Sequence, residues 1–355
     1  MKRHVSITAD RLPVDIHAVA GSIAETQLAW GEIPWVPDDK TVPWDHVEAA
    51  MGLTIGGFLP EARRAFEWMA YMQRENGSWY AAYRNSVSED LTQDSNQSSY
   101  ISVGLFHYFL ATRDVSFLRR FWPVVQQAIQ FAASLQAPGG EIYWAVSPEG
   151  RIDPMALLTG SSSIFMSIKC ALEIAKIIKE PVPPEWIQTL NSLKTAIQNK
   201  PHHFNMTKSR YSMDWFYPVL SGAITQADAR QRIDRYWKKF IIEGHGVRCV
   251  SDHPWVTIAE TSELCLTLCA TGNTQLAEIV FGWICDKHHE DGTFWCGYTY
   301  PDMVIWPEDS YTWTNAVVLM AMDAIYHLTP ACNLFNHQAW SAEGFDYSHE
   351  IMIHD

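Results

Sequence analysis

Aspartates stand close to the start of six apolar segments that have helical periodicity. They are Asp45, Asp94, Asp153, Asp214, Asp252 and Asp309. Tryptophans accompany most of these aspartates, at Trp44, Trp215, Trp255, Trp306 and Trp313. A carboxyl group can donate or accept a proton, and an aromatic face attracts a cation. An aspartate also caps a helix N-terminus, which explains any one of these residues but not the tryptophans. The set therefore predicts a pocket in which carboxyl groups act as acids or bases.

Asp94, in the segment LTQDSNQSSY, is the first candidate for a catalytic acid, and the amide of Asn96 could orient its carboxyl group. Asp309, in WPEDSYTW, is the second candidate and lies between Trp306 and Trp313. A helix dipole favours the ionised form of a carboxyl group at its N-terminus, which opposes storage of a proton. Two facing acids would share one proton, since like charges in a dry site raise one pKa. We therefore expect Asp94 and Asp309 to act together.

A further group of residues is expected to bind the substrate around these acids. It comprises Asn96, Trp44, His46, Asp214, Trp215, Arg248, Trp255, Glu260, Trp306, Glu308 and Trp313. Asp45 and His46 are adjacent on a helix and do not face each other, so a catalytic pair is not expected there. Glu260 could point inward, although a structural acid bonded to Ser or Thr is the more ordinary role. Arg248 could hold a substrate carboxylate, although a salt bridge is the more ordinary role.

Helical patterns come in pairs along the chain, and these elements must position the acids. The pairs are residues 45–56 with 60–73, 98–112 with 115–136, 155–179 with 184–199, 217–222 with 227–242, and 255–271 with 274–288. A helix at 310–328 comes last, and the helix at 15–30 could be its partner. The first member of each pair is rich in small and hydroxyl residues, and the second is usually amphipathic. This pattern predicts an all-α, single-domain (α/α)6 barrel of paired inner and outer helices, with a solenoid of helical hairpins as the competing architecture.

The predicted barrel occupies residues 1–335, and a C-terminal tail follows at 336–355. A turn motif recurs inside the barrel at residues 62–79, 133–144 and 281–295, where a helix ends and a glycine and a tryptophan follow. Gln73 is expected to cap the first of these helix ends, and Lys287 replaces the glutamine in the last. Recurrence of one such segment is typical of a repeating helical architecture.

Composition limits the class of protein. The formal net charge is -14, which argues against nucleic acid or an anionic membrane as the main partner. The 7 cysteines are scattered, and no Cys/His spacing resembles a metal site, so no metal and no cofactor are expected. The N-terminal dozen residues lack the apolar core of a signal peptide, and the most apolar run, 161–178, carries charges. We expect a cytoplasmic protein of unknown oligomeric state, with peripheral membrane contact if its substrate is apolar.

The segment from Gln73 to Trp79 resembles the QxxxGxW-type repeats of the squalene–hopene cyclase and prenyltransferase-like α/α-barrel superfamily. Residues 5–335 resemble bacterial single-domain class II terpene cyclases, above all in the stretches RYSMDWFYPVL, GVRCVSDHPWVTIAETSE and IWPEDSYTWT. The resemblance implies one central cavity and a metal-independent cyclisation of a linear polyprenyl substrate, in some members attached to an aromatic acid. The chain departs from that pattern because it has neither a DxDD nor a DDxxD motif, so the acid must lie elsewhere or the chemistry differs.

Two other functions remain open. A class II cyclase needs an acid in a dry cavity and aromatic faces, each of which stabilises a carbocation by about 0.5–2 kcal/mol. Six-hairpin barrels also host glycoside hydrolases with two carboxyl groups and tryptophan platforms, and Asp94 with Glu308 or Asp309 could form that pair. A closed apolar cavity favours the cyclase, and an open polar cleft favours the hydrolase. A non-catalytic helical scaffold would explain the helix pairs but not the acid and tryptophan loops.

Overall fold

Helices make up most of the chain, and they alternate between two layers. The computed structural model describes residues 12–341 and 343–347, so the prediction about a signal peptide, made on the first dozen residues, falls almost wholly outside the described chain. In chain order the helices are α1 (Ile16–Thr26), α2 (Pro43–Ile55), α3 (Leu59–Met72), α4 (Ser95–Ser99), α5 (Ile101–Thr112), α6 (Val115–Ser134), α7 (Leu158–Ile178), α8 (Pro184–Asn199), α9 (Ser212–Leu220), α10 (Gln226–Phe240), α11 (Ile258–Ala270), α12 (Thr274–Gly282) and α13 (Thr312–Tyr326).

The inner layer is a closed ring of six helices. Helix α2 contacts α5, and the contacts continue through α7, α9, α11 and α13, which returns to α2. Helix α1 packs against both α13 and α2, so the N-terminal helix is the outer partner of the last inner helix. The prediction of an all-α (α/α)6 barrel is confirmed, and the ring closure excludes an open solenoid.

Side-chain size explains which helices lie inside. The inner helices α11 and α13 bury nearly every residue, whereas α10 buries only Ala229, Ile233 and Phe240 on one face. Small residues let the inner helices approach closely, since a Cβ atom added to Gly52 would lie 2.8 Å from the Cα of Ala316. Helices that are buried on all sides need such small residues, and helices that face water need one apolar stripe.

A repeated turn joins each of several outer helices to the next one. Nε2 of Gln73 donates to the carbonyl oxygens of Gly77 at 3.1 Å and Val124 of α6 at 2.9 Å. Nε2 of Gln136 donates in the same way to Gly140 at 2.9 Å and to Thr189 of α8 at 3.0 Å. The glutamine therefore closes its own turn and fastens the turn to the following outer helix. Lys287 departs from this pattern, since its Nζ donates to Asp286 at 2.7 Å.

Short antiparallel strands fill several of the loops. They are β1 (Ala82–Arg84), β2 (Val87–Asp90), β3 (Gln93–Asp94), β4 (Tyr143–Val146), β5 (Ile152–Ala156), β6 (Ile241–Ile242), β7 (Gly246–Arg248), β8 (Trp255–Thr257), β9 (Gly297–Thr299), β10 (Trp340–Ser341) and β11 (Gly344–Phe345). The sheets are β1-β2, β3-β4-β5, β6-β7-β8-β9 and β10-β11. Helices predicted to start at 155 and 255 begin at Leu158 and Ile258 instead, because the residues before them pair in β5 and β8.

The segment predicted as a C-terminal tail packs on the barrel as far as it is described. The rings of Trp340 and Phe345 lie 5.9 and 5.4 Å from that of Phe106 in α5. No helix among residues 12–341 and 343–347 is long and apolar enough to cross a lipid bilayer.

Candidate active site

Four carboxyl groups lie on the first two turns of two inner helices. Asp45 and Glu48 are one turn apart on α2, and Glu260 and Glu263 are one turn apart on α11. Helix α13 lies between α2 and α11 in the ring. The charge of Glu48 raises the pKa of Glu263 after burial, and the charge of Asp45 raises the pKa of Glu48 after burial. The two pairs are therefore close enough to act on one another inside the mouth of the barrel.

Asp45 lies in a recess that limits its contact with water. Burial raises its pKa from 3.8 to about 7, although a hydrogen bond from Trp35 and the charge of Lys40 oppose this shift. Nε1 of Trp35 donates to Oδ2 of Asp45 at 2.6 Å. A carboxyl group with a pKa near 7 is protonated in a large fraction of molecules at neutral pH, so Asp45 can act as a proton donor.

Glu48 and Glu263 face a cluster of aromatic residues. Burial raises the pKa of Glu48 to about 8, and Nε1 of Trp44 donates to its Oε1 at 2.8 Å. Burial also raises the pKa of Glu263 well above its usual value, although the hydroxyl group of Tyr217 donates to it at 2.8 Å. The ring of Trp44 lies 5.6 Å from that of Tyr217. Burial thus favours the protonated form of both glutamates.

Glu260 keeps one side-chain oxygen, Oε2, without a hydrogen-bond partner among the described residues. The residue is 9% exposed, and this oxygen is buried. The Cys249 thiol lies against it, and burial together with the charge of Glu260 raises the pKa of that thiol. A free buried oxygen can accept a proton from a water molecule or a ligand hydroxyl group.

A cavity of about 160 Å³ lies between α4 and α7, and Trp44, which donates to Glu48, forms part of its wall. Its walls include Trp44, Asp94, Asn96, Gln97, Trp144 and Ser161. Asn96 Oδ1, Gln97 Oε1, Trp144 Nε1 and Ser161 Oγ are buried and have no hydrogen-bond partner among the described residues. Buried polar atoms are normally paired, and leaving one unpaired costs about 1–3 kcal/mol. Two aromatic faces with several unpaired polar atoms suit a ligand that carries many hydroxyl groups.

The two acids favoured by sequence occupy different environments. Asp94 caps α4, and its Oδ1 accepts hydrogen bonds from the backbone N–H groups of Asn96 at 2.8 Å and Gln97 at 2.9 Å. Burial raises the pKa of Asp94 to about 6 against these bonds. Asp309 is exposed in the loop before α13, and the charges that act on Asp94 do not include it. Sharing of one proton needs both acids in one dry site, and the exposed position of Asp309 does not favour it.

Two residues expected to bind substrate stabilise the barrel instead. Nδ1 of His46 accepts from the N–H of Ile33 at 3.1 Å, and Nε2 lies 3.0 Å from the carbonyl oxygen of Ala65. Burial lowers the pKa of His46 to about 4, so the ring is neutral. Nε1 of Trp215 donates to the carbonyl oxygen of Arg232 at 3.1 Å, on the side of α10. Neither side chain has a free polar atom for a ligand.

Asp214 links two inner helices. Its Oδ1 accepts from the hydroxyl group of Thr159 at 2.7 Å, and burial raises its pKa. Thr159 lines the cavity described above, so Asp214 supports the wall from behind. Arg248, in β7, is half-buried and makes no hydrogen bond or ion pair with the described residues.

The remaining predicted residues lie near the rim. Nε1 of Trp255 donates to the carbonyl oxygen of Trp306 at 2.7 Å, and the two rings meet edge to face at 5.3 Å. Trp306 is 61% exposed, and Glu308 is also exposed. The ring of Trp313 stacks on that of Tyr311 at 6.1 Å.

The site predicted from sequence did not include Glu48, Glu263, Tyr217 or Tyr100. The hydroxyl group of Tyr100 donates to Oε1 of Glu48 at 3.4 Å. The available signal was the spacing of acids on segments that are otherwise apolar. Asp45 with Glu48, and Glu260 with Glu263, are pairs separated by one helical turn, and therefore project from one face. An acid pair on one face of a fully buried helix must face a polar interior. Among the described residues, no group of His, Cys, Asp and Glu is arranged to hold a metal ion.

An α/α barrel with carboxyl groups and tryptophans at its mouth fits both a terpene cyclase and an α/α-barrel glycoside hydrolase, and similarity to a known enzyme decides for the hydrolase. The chain is 45% identical over 323 residues to the MMP endo-(1,4)-3-O-methyl-α-D-mannosidase of Mycolicibacterium hassiacum, covering 91% of this chain and 89% of that enzyme. The chain belongs to the family of this mannosidase. No family model matches the chain.

Solved structures share the fold at low sequence identity. A GH63 mannosylglycerate hydrolase from Thermus thermophilus, in complex with Tris and D-glycerate, is 11% identical with a TM-score of 0.67, covering 86% of this chain and 99% of that chain. A wild-type glycosidase is 13% identical with a TM-score of 0.65, covering 88% of this chain and 97% of that chain.

These findings overturn the terpene cyclase prediction. The 45% identical relative is a mannosidase, so the cyclase activity, the isoprenoid substrate and the resemblance to squalene–hopene cyclases are wrong. The recurring turn with glycine and tryptophan, as at residues 73–79, led to the wrong family. It joins neighbouring outer helices and carries no information about the substrate. The alternative, a glycoside hydrolase, is the supported function.

Proposed function

We propose that this protein is an endo-acting α-mannosidase that hydrolyses (1,4) linkages between 3-O-methylmannose units. The observation that carries this proposal is the 45% identity with an enzyme of that name over nearly the whole chain, together with a carboxyl cluster at the barrel mouth. Two carboxyl groups are what glycoside hydrolysis requires.

Asp45 is assigned as the general acid. Its raised pKa keeps a proton available near neutral pH, and the Trp35 hydrogen bond fixes one of its oxygens. The proton passes to the glycosidic oxygen as the bond between that oxygen and the anomeric carbon breaks. The leaving sugar departs as an alcohol, and Asp45 becomes a carboxylate.

Glu260 is assigned as the general base. Its unpaired Oε2 accepts a proton from water, and the water oxygen bonds to the anomeric carbon. Asp45 and Glu260 lie on helices separated by α13, so they approach a sugar ring from different sides. This arrangement favours attack opposite to the leaving group and inversion at the anomeric carbon.

The neighbouring cavity suits a methylated sugar. Asn96 Oδ1 and Gln97 Oε1 are acceptors and match sugar hydroxyl groups, whereas Trp144 Nε1 can only donate and matches an ether oxygen. The faces of Trp44 and Trp144 can cover a methyl group. Asp94 also lines this cavity and is assigned as a residue that binds the sugar.

The rim provides room for further sugar units. Trp306 is exposed and held against Trp255, so its face can support a ring beyond the cleavage site. Glu308 and Asp309 follow in the same exposed loop and can accept hydrogen bonds from hydroxyl groups. Such a platform is consistent with cleavage inside a chain rather than at its end.

The test is incubation of the purified protein with oligosaccharides of α-(1,4)-linked 3-O-methylmannose, with unmethylated α-(1,4)-mannosides and mannosylglycerate for comparison. We expect internal cleavage of the methylated chain, detected by mass spectrometry as shorter fragments that have gained one water. Proton NMR of the first products should show the inverted anomer. Failure to cleave the methylated chain, with cleavage of mannosylglycerate, would replace this substrate assignment.

Substitution of the two assigned carboxyl groups tests the mechanism. Asp45→Asn and Glu260→Gln should each lower kcat by about 10²–10⁴-fold, because each removes a proton-transfer group. Asp309→Asn is the matched control and should keep most of the activity. A large loss in the control with little loss in Asp45→Asn would return the catalytic role to Asp309.

We also propose that the enzyme acts in the cytoplasm. All 7 cysteines are unpaired, and Cys170, Cys265, Cys269 and Cys296 are buried thiols, which suits a reducing compartment. Fractionation of the source cells with an antibody against the protein checks this location.

A further inference from the structure

A second cavity, of about 510 Å³, lies at the end of the barrel opposite the carboxyl cluster. It is bounded by the ends of the inner helices α9 and α11, near Gly222 and Thr271, and by the C-terminal segment at His337 and Trp340. The carboxyl groups of the proposed active site lie on the first turns of the inner helices instead. This cavity is therefore separate from the proposed site of hydrolysis.

Three cationic side chains converge on this cavity from three helices. Lys169 comes from α7, Lys194 from α8 and Arg230 from α10. None of the three makes a hydrogen bond or an ion pair with the described residues. No aspartate or glutamate belongs to the described wall. An accumulation of unpaired cations is unexpected in a chain whose formal net charge is -14.

Lys169 is the innermost of these cations. Its Nζ lies 4.0 Å from the centre of the Trp340 ring and 5.6 Å from that of Phe165, and these rings stabilise the charge without donating or accepting a hydrogen bond. Burial lowers the pKa of Lys169 to about 8; the charge of Lys194 contributes to this shift, and Cys170 and Glu173 oppose it. A buried cation that keeps three free donors costs free energy, and an anion in the cavity would offset that cost.

The start of helix α10 adds backbone donors to the same wall. Thr225 and Gln226 line the cavity, and the Thr225 side chain does not cap the helix. The first N–H groups of a 15-residue helix therefore remain available to an anion, and the helix dipole favours negative charge there. Asp228, also in the first turn, lines a different cavity.

We propose that this cavity binds the phosphate group of a small molecule through Lys169, Lys194, Arg230 and the first turn of α10. A phosphate group carries enough charge and enough acceptor oxygens to engage several donors that converge from different directions. The cavity is larger than a bare phosphate ion requires, and its volume lies in the range of pockets that hold small organic ligands. The ligand is therefore either inorganic phosphate or a phosphate ester.

Isothermal titration calorimetry on the full chain tests the site directly. The probes are sodium phosphate and glucose 6-phosphate, and neutral glucose tests the contribution of the sugar alone. Binding of either phosphate compound that weakens as NaCl is raised supports the proposal, and the tighter of the two identifies the source of the phosphate group. Absence of binding by both, or equal binding of glucose and glucose 6-phosphate, overturns it.

Two variants, each of which loses one positive charge at a different position, make the test specific. Lys169→Met should weaken phosphate binding by about tenfold or more, since a hydrogen bond to a charged group contributes about 1.5–3 kcal/mol. Lys238→Met is the matched control, because Lys238 is exposed near the end of α10 and far from its first turn. Equal affinity in Lys169→Met and wild type would overturn the assignment.

Thermal unfolding provides an independent measurement. Phosphate should raise the Tm of the wild type and of Lys238→Met but not that of Lys169→Met. Without ligand, Lys169→Met should unfold at a higher temperature than wild type, because a buried unpaired charge is gone. If Lys169→Met does not fold, the double variant Lys194→Met with Arg230→Met replaces it, and unchanged phosphate affinity in that variant overturns the proposal.

Discussion

The carboxyl group of Asp45 illustrates how burial sets chemistry at the scale of single residues. Water is partly excluded from its recess, and this raises its pKa to about 7. The Trp35 hydrogen bond and the charge of Lys40 stabilise the anion and limit the rise. The same aspartate in water would be almost wholly ionised at neutral pH and would be a poor proton donor.

The pH dependence of hydrolysis should follow the pKa of Asp45. The protonated form is the active acid, so the rate should fall as the pH rises through about 7. Trp35→Phe removes a hydrogen bond that favours the anion and should move this fall to higher pH by about one unit. Measured pH–rate profiles test the shift. Trp237→Phe is the control, because Nε1 of Trp237, on the outer helix α10, donates to Glu243 and not to Asp45, so the profile should stay in place.

Stability should depend on the same carboxyl group. Its pKa is higher in the folded chain than in the unfolded chain, so the folded state binds more protons between pH 3.8 and about 7. Ionisation of Asp45 therefore destabilises the fold as the pH rises through this window. Asp45→Asn cannot ionise and should be more stable than wild type at pH 8, whereas the difference should vanish near pH 4. Urea unfolding at the two pH values measures this, and a constant difference would refute the argument.

At the scale of elements, the repeated turn determines how neighbouring outer helices meet. Gly77 has a φ of +86°, and a Cβ atom there would lie 2.1 Å from the carbonyl oxygen of Gln127 in α6. Gly140 has the same relation to Ser192 in α8, at 2.5 Å. The glycine is needed both for the left-handed backbone and for close contact with the next helix.

Gly77→Ala should destabilise the protein more than Gly57→Ala. Gly57 also has a positive φ, at +82°, but no atom lies within 4 Å of its added Cβ. Both substitutions incur backbone strain of about 1–2 kcal/mol, and only Gly77→Ala adds a clash that costs about 1–3 kcal/mol more. Denaturant unfolding of both variants gives the difference, and equal stabilities would show that the turn does not press on α6.

At the scale of the whole molecule, the barrel closes where α13 meets α2 and α1. Gly52 of α2 faces Ala316 of α13 at this seam, with Ile23 of α1 also close. The first and last inner helices, α2 and α13, are thus joined by close packing of small residues. Closure holds α2 and α11 on either side of α13, and with them the two acid pairs.

Gly52→Ala should loosen this seam. Its Cβ would lie 2.8 Å from both Cα and Cβ of Ala316, so the helices must separate, at a cost of about 1–3 kcal/mol. Gly21→Ala in α1 is the control, because its Cβ meets only Phe58 at 3.7 Å, and alanine should stabilise that helix by about 0.5–1 kcal/mol. Thermal unfolding distinguishes the two. A Gly52→Ala protein as stable as wild type would mean that the seam is not closely packed.

The predictions from sequence succeeded where the signal is local. The period of apolar residues predicted α8 at both ends and most other helices within a few residues, because amphipathic packing repeats every turn. The short strands β5 and β8 were read as the starts of the helices that follow them, although β5 pairs with the neighbouring β4, and only the β9 partner of β8 is distant in the chain. Trp44, Trp255 and Trp306 were identified because they accompany aspartates near predicted helix starts, and the structure brings each close to the mouth or rim.

The amino-acid sequence alone determined the ring of helix pairs. An inner helix is buried on all sides and an outer helix on one face, and each kind of burial gives its own spacing of apolar residues. The sequence did not determine which acids act together. Asp94 and Asp309 look equivalent as residues near helix starts, yet one is partly enclosed and the other is exposed. The pKa of a carboxyl group depends on the water and charges around it, and these come from helices far apart in the chain. Only the closed barrel places Asp45, Glu48, Glu260 and Glu263 within reach of one another's charge.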